Sequence, residues 1–209
     1  MLRHAARAVP WGRVTLAAGL VVVLMELVRW NPWVLWPLEG TAVGLLAGAA
    51  AWCFDETAMA VVDPAPRGLA WRTAARSPAV ALLVLVWAFG VARVGDGAAF
   101  GHAGAVLVQG LAAVATGAAV ACWRRARGEA SPGLLFAAAV VPAATAWALV
   151  RPLEDHVAVF PYATTTPRGW HLSTAGWAAA GALAALLLVA ALADAPWWHL
   201  HRSPRASRS

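Results

Sequence analysis

LSTAGWAAAGALAALLLVAALA, residues 172–193, is a run of 22 residues without one charged side chain. A helix of that length rises about 33 Å, enough to cross the roughly 30 Å hydrocarbon core of a bilayer, and it satisfies its backbone polar groups internally. Five further apolar runs precede it: Val14–Trp30, Leu38–Phe54, Pro78–Val94, Gly101–Trp123 and Pro132–Val150. A membrane β-barrel would show short alternating segments instead. The sequence therefore predicts an all-α, polytopic membrane protein with six transmembrane helices and no room for a soluble domain between them. Composition agrees: 61% of the 209 residues are hydrophobic and 12% charged, with a mean hydropathy of +0.66, against about 45–50% and 25% in water-soluble domains.

The net charge of +6 comes from sixteen cationic residues, all of them arginine. Without a lysine the chain cannot form a P-loop or a Schiff base, so it is not expected to be an enzyme, and any ATP hydrolysis belongs to a partner. The arginines are unevenly placed. Arg3, Arg7 and Arg13 precede the first run; Arg67, Arg72 and Arg76 follow the second; Arg124, Arg125 and Arg127 follow the fourth; Arg202, Arg205 and Arg208 follow the sixth. The alternate connections and span ends hold only Arg29, Arg93, Arg151 and Arg168. Because positively charged short loops stay cytoplasmic, this division places both termini in the cytoplasm. Anionic membrane lipids are then the natural partner of the basic loops, and no nucleic acid is needed to explain the charge.

The layout that follows is a cytoplasmic N-terminal stub (1–13), a six-helix transmembrane domain (14–193) and a basic cytoplasmic tail (194–209). A cytoplasmic loop covers 55–77, and an outer loop covers 151–173. The first run resembles a secretory signal, but Glu26 and Arg29 stand where small residues would mark cleavage, so it reads as an uncleaved span. Ser77-Pro78 and Ser131-Pro132 each read as a helix start, a capping hydroxyl before a proline at the first helical position. Pro142 is expected to kink the fifth span. Cys53 and Cys122 lie in apolar runs and read as small buried hydrophobes. Trp11, Trp30, Trp33, Trp36, Trp123, Trp170, Trp197 and Trp198 fall near span ends, where indoles favour the headgroup level.

The loop after the second span carries the most distinctive pattern. Asp55-Glu56 is followed by Asp63-Pro64, Arg67 and then Leu69-x-Trp71-Arg72-x-x-x-Arg76. Pro64, Pro66 and Gly68 break the helix, and Leu69–Arg76 fits a short interfacial helix with Arg72 and Arg76 on one face. This pattern, with six spans, cytoplasmic termini and the longest outer loop between the fifth and sixth spans, resembles actinobacterial ABC-exporter permeases. The resemblance implies a bacterial plasma-membrane subunit driven by a separate cytoplasmic ATPase, which would hold ATP and magnesium; this chain would need no cofactor. It further implies that Asp55, Glu56, Asp63, Arg67, Leu69, Trp71, Arg72 and Arg76, with the stub 1–13, contact that ATPase. In such exporters the region matching 151–173 forms short re-entrant helices that close the outer end, and Val157, Val159 and Phe160 would supply their apolar face.

Charge inside the spans is costly and marks function by default. Glu26 is the deepest acid, with Arg29 three residues on, and the two read as an ion pair or as a proton-coupling or headgroup-contact site. Glu39, Arg93 and His102 read as interfacial. Gly40, Gly44 and Gly48 recur at every fourth position, a close-packing stripe suited to a dimer with a second copy or a sister permease. Glu154, Asp155, His156 and His171 could ligate zinc, but lack the spacing of a helical metal motif, so no metal is expected. No G-x-S-x-G elbow occurs. The leading expectation is an ATP-driven exporter permease for amphipathic cargo. Its rivals are a proton-coupled carrier using Glu26 and a non-transporting structural subunit.

Overall fold

The computed structural model describes residues 9–55, 69–129, 131–151 and 158–194. Seven helices run through them: α1 (Trp11–Trp30), α2 (Pro32–Leu35), α3 (Pro37–Trp52), α4 (Leu69–Ala98), α5 (Ala103–Ala126), α6 (Pro132–Val150) and α7 (Pro167–Asp194). Five of them, α1, α4, α5, α6 and α7, are long and apolar enough to cross a membrane. The architecture is that of an all-helical, multi-pass membrane protein.

The second apolar run, expected as one of six spans, is not among these five. Its helix, α3, has 16 residues, about 24 Å at 1.5 Å per residue, and twelve of them are buried. The reason is its place in the bundle, where α6, α5 and α1 pack around it. A helix sheathed by its neighbours does not have to match the bilayer in length, because they meet the lipid in its place.

Small residues make that central position possible. A Cβ on Gly40 would lie 2.5 Å from the Ala148 Cβ, one on Gly44 2.7 Å from the Ala144 Cβ, and one on Gly48 3.0 Å from the Ala137 Cβ. The descending partner numbers show α3 and α6 running antiparallel, with the whole glycine stripe against α6 of the same chain. Expected at a subunit interface, the stripe is used inside the subunit. On another side of α3, a Cβ on Gly117 of α5 would come within 2.0 Å of the Ala47 carbonyl oxygen, so those two backbones are in contact. Such small-residue seams are how helices associate where apolar burial offers no preference between lipid and protein.

The helix start expected at Ser77-Pro78 is not one. The segment Leu69–Arg76 is not a separate interfacial helix either, because α4 begins at Leu69 and continues through Pro78. Proline lacks the N–H that would bond the carbonyl four residues back, here that of Ala74. Ser77 Oγ donates to this same Ala74 carbonyl at 2.8 Å. The hydroxyl read as a cap instead repairs the one bond the proline removes. Farther along, α4 breaks at Gly95, whose φ of 66° and ψ of 174° lie in a region open essentially to glycine alone. The start at Pro132 is as expected, but Ser131 makes no capping bond. Helix α6 then stays continuous across Pro142 to Val150.

Candidate functional site

One end of the bundle gathers the start of α1, the end of α3, the start of α4, the end of α5 and the start of α6. Asp55, just past α3, reaches across and accepts the Gly133 N–H at 2.7 Å. It thus serves as the missing cap of α6, satisfying a donor that the first turn of a helix leaves without an internal partner. Burial pushes the Asp55 carboxyl above the ordinary carboxylate range, against the pull of N–H bonds from Gly133 and Leu134 and of the charges on Arg13 and Arg76. Arg76 itself is only 2% exposed. Thr73 Oγ1 lies 3.8 Å from Cys122 Sγ, joining α4 to α5, and both cysteines are buried and free. At the end of α5, Arg124 pairs with Glu129 at 2.8 Å, and the Arg127 guanidinium lies 3.6 Å over the Trp123 ring.

The contact set expected for an ATPase therefore divides. Asp55 and Arg76 are buried within the bundle. Trp71 and Arg72 are half-buried on the first turns of α4. Leu69 opens the helix, while Glu56, Asp63 and Arg67 lie outside the described residues, as do residues 1–8 of the stub.

Glu26 has more company than its sequence neighbour. Its carboxylate accepts from Arg29 at 3.0 Å and from Arg93 of α4 at 2.9 Å. Arg93, read as merely interfacial, is thus the second arm of a three-residue ion cluster joining α1 to α4. Glu39 also departs from its reading: it is 1% exposed, and neither carboxylate oxygen has a hydrogen-bond partner. A lone acid near a span end looks interfacial in sequence, but here α2 turns the chain so that the first turn of α3 enters the bundle.

The opposite end is closed by aromatic rings. Trp36 Nε1 donates to the Pro161 carbonyl at 2.7 Å, and the Tyr162 hydroxyl donates to the Trp33 carbonyl. Phe100 stands between Trp36 and Tyr162, with ring centroids 4.9 and 5.6 Å away. His102 stacks on Trp170 at 4.2 Å. Ser173 Oγ and Trp177 Nε1 both donate to the Val159 carbonyl. Trp36 and Trp170 are buried here, packed among the other rings. Of the outer loop 151–173, residues 158–166 contain no helix and 167–173 are already the first turns of α7, so the closure there is a pinned aromatic lid. Glu154, Asp155 and His156 lie outside the described residues, and among those described no group of three or more His, Cys, Asp or Glu is placed to hold a metal. Comparison with known proteins returned no matching family model, no matching curated protein and no matching solved structure.

Proposed function

We propose that this chain is the membrane-spanning subunit of an ATP-driven exporter of the bacterial plasma membrane. In this reading α3 also crosses the membrane, as the second of six spans, both termini are cytoplasmic, and a separate ATPase supplies ATP and magnesium. The observation that carries it is the continuity of α4 from Leu69 to the break at Gly95. A force on Trp71 and Arg72 would move a span directly, since no hinge intervenes at Pro78. Asp55 would pass the same displacement to α6 through its bond to Gly133. An ATPase that binds one arrangement of these ends better than the other biases the equilibrium between states open to opposite sides. Because the glycine stripe is occupied within the chain, a pathway between two subunits would use the largely exposed α6 and α7. Replacing Trp71 and Arg72 together (Trp71→Ala, Arg72→Glu) is expected to cut the amount of ATPase co-purifying with the chain about tenfold or more, a loss of at least ~1.4 kcal/mol of binding. Co-purification at the wild-type level would sink the proposal.

A second reading, proton-coupled carriage, is favoured by Glu39 and no longer by Glu26. Glu26 is held by two guanidinium groups, whereas the Glu39 carboxyl is buried in the central helix with both oxygens open. An acid kept there without a partner costs stability, about 1–3 kcal/mol, so replacing it with an uncharged side chain of similar shape (Glu39→Met) is expected to stabilise the fold. Under the carrier reading Glu39→Gln also abolishes pH-gradient-driven uptake in proteoliposomes. Full uptake by the variant would eliminate Glu39 as the coupling group.

A further inference from the structure

We infer that the α1/α4 face binds an anionic phospholipid, with Arg29 and Arg93 holding the headgroup phosphate and Glu26 acting as their positioning residue. The inference rests on the membrane architecture and not on the exporter reading. Glu26, Arg29 and Arg93 have side chains 36%, 47% and 48% exposed. They open outward from the bundle, and the three together carry a net charge of +1. Charged groups within spans normally turn to the protein interior or a water-filled cavity, because hydrocarbon solvates them poorly. Ones that face outward call for a polar occupant.

The geometry favours an anion with two oxygens to share. Arg29 contacts Glu26 through one terminal nitrogen, and Arg93 does so through Nε. Each guanidinium has five N–H donors in a planar fork, so both keep donors beyond those spent on Glu26. The carboxylate neutralises one positive charge and ties the two forks to a single point. Nearby, the side chain of Met25 lies 3.2 Å from where a Cβ on Gly90 would be, so α1 and α4 are in close contact beside the cluster. Planar forks of this kind bind phosphate through paired, charge-assisted hydrogen bonds.

The surroundings specify a lipid. One turn below the cluster the surface continues as exposed Val23 on α1 and exposed Phe89 on α4, with exposed Leu85 a turn farther along α4. Trp30 is exposed beside Arg29, at the level an indole takes among headgroups. A cation pair above an apolar two-helix strip is complementary to an anionic head above acyl chains. A second copy of this chain is disfavoured on the same face, because a symmetric contact would oppose two net-positive clusters.

The test uses the full chain, delipidated in a neutral detergent, with lipid binding followed by native mass spectrometry. Dioleoyl phosphatidylglycerol is expected to bind about tenfold more tightly than dioleoyl phosphatidylcholine, whose choline partly neutralises the phosphate. The Arg29→Gln/Arg93→Gln chain is expected to lose that preference. If that variant does not hold together, Arg29→Gln alone keeps the Glu26–Arg93 link and is expected to weaken phosphatidylglycerol binding severalfold. Equal affinity for the two lipids, or an unchanged preference in the variants, overturns the inference. So does displacement of the lipid by inorganic phosphate alone, which would indicate a soluble anion. A dimer that falls apart in the variants, with no change in lipid binding, overturns it in favour of a contact between copies.

Discussion

An Asp55→Ala chain is expected to lose about 2–4 kcal/mol of stability, while Asp55→Asn keeps most of it. The magnitude follows from what the side chain does: it is buried, and its Oδ1 accepts the Gly133 N–H at 2.7 Å. Hydrogen bonds to charged groups contribute roughly 1.5–3 kcal/mol, and the alanine variant additionally leaves a donor at the start of α6 buried without an acceptor. It also removes the negative charge that Arg13 and Arg76 sense, a loss that the asparagine variant shares. Asparagine preserves the acceptor oxygen, so the difference between the two variants isolates the cap from the charge. Denaturant unfolding in detergent gives the energies, and amide exchange at Gly133 gives the local effect. Equal stability of Asp55→Ala and the wild type would mean that α6 does not depend on α3 for its start.

Gly117→Val is expected to prevent the bundle from closing, at a cost of about 3 kcal/mol or more. The obstruction at this position is backbone: a Cβ would stand 2.0 Å from the Ala47 oxygen and 2.9 Å from its carbonyl carbon. Neither atom can rotate aside as a side chain would, so α3 and α5 must move apart along their shared seam. Overpacking a well-filled core costs about 1–3 kcal/mol when side chains can adjust, and more when they cannot. Gly104, near the start of the same helix, provides the control, since nothing lies within 4 Å of its would-be Cβ. Gly104→Ala is expected to be neutral, or stabilising by up to ~1 kcal/mol through helix propensity. Melting curves of the two variants that coincide would show that the α3–α5 seam is not tight.

The readings that held were those that depend on one segment at a time. Length and apolarity mark Pro132–Val150 as a helix to the residue, because bilayer thickness and backbone satisfaction act on a segment regardless of its neighbours. Ser77-Pro78 shows where local reading stops. A serine before a proline is chemically able either to begin a helix or to mend one, and the choice depends on whether residues 69–76 are themselves helical.

What the sequence determined by itself is the class: helices long and apolar enough for a membrane, in an order set by the apolar runs. Tertiary structure alone decided which faces meet. It put Gly40, Gly44 and Gly48 against α6, sent Asp55 to cap a helix 78 residues away, buried Glu39, and brought Arg93 to Glu26. The physical reason lies in the solvent. Hydrocarbon is as apolar as the side chains it surrounds, so hydropathy does not distinguish a lipid-facing side from a protein-facing one. The partners are selected by shape and by a few polar bonds, and these exist only once the helices are assembled.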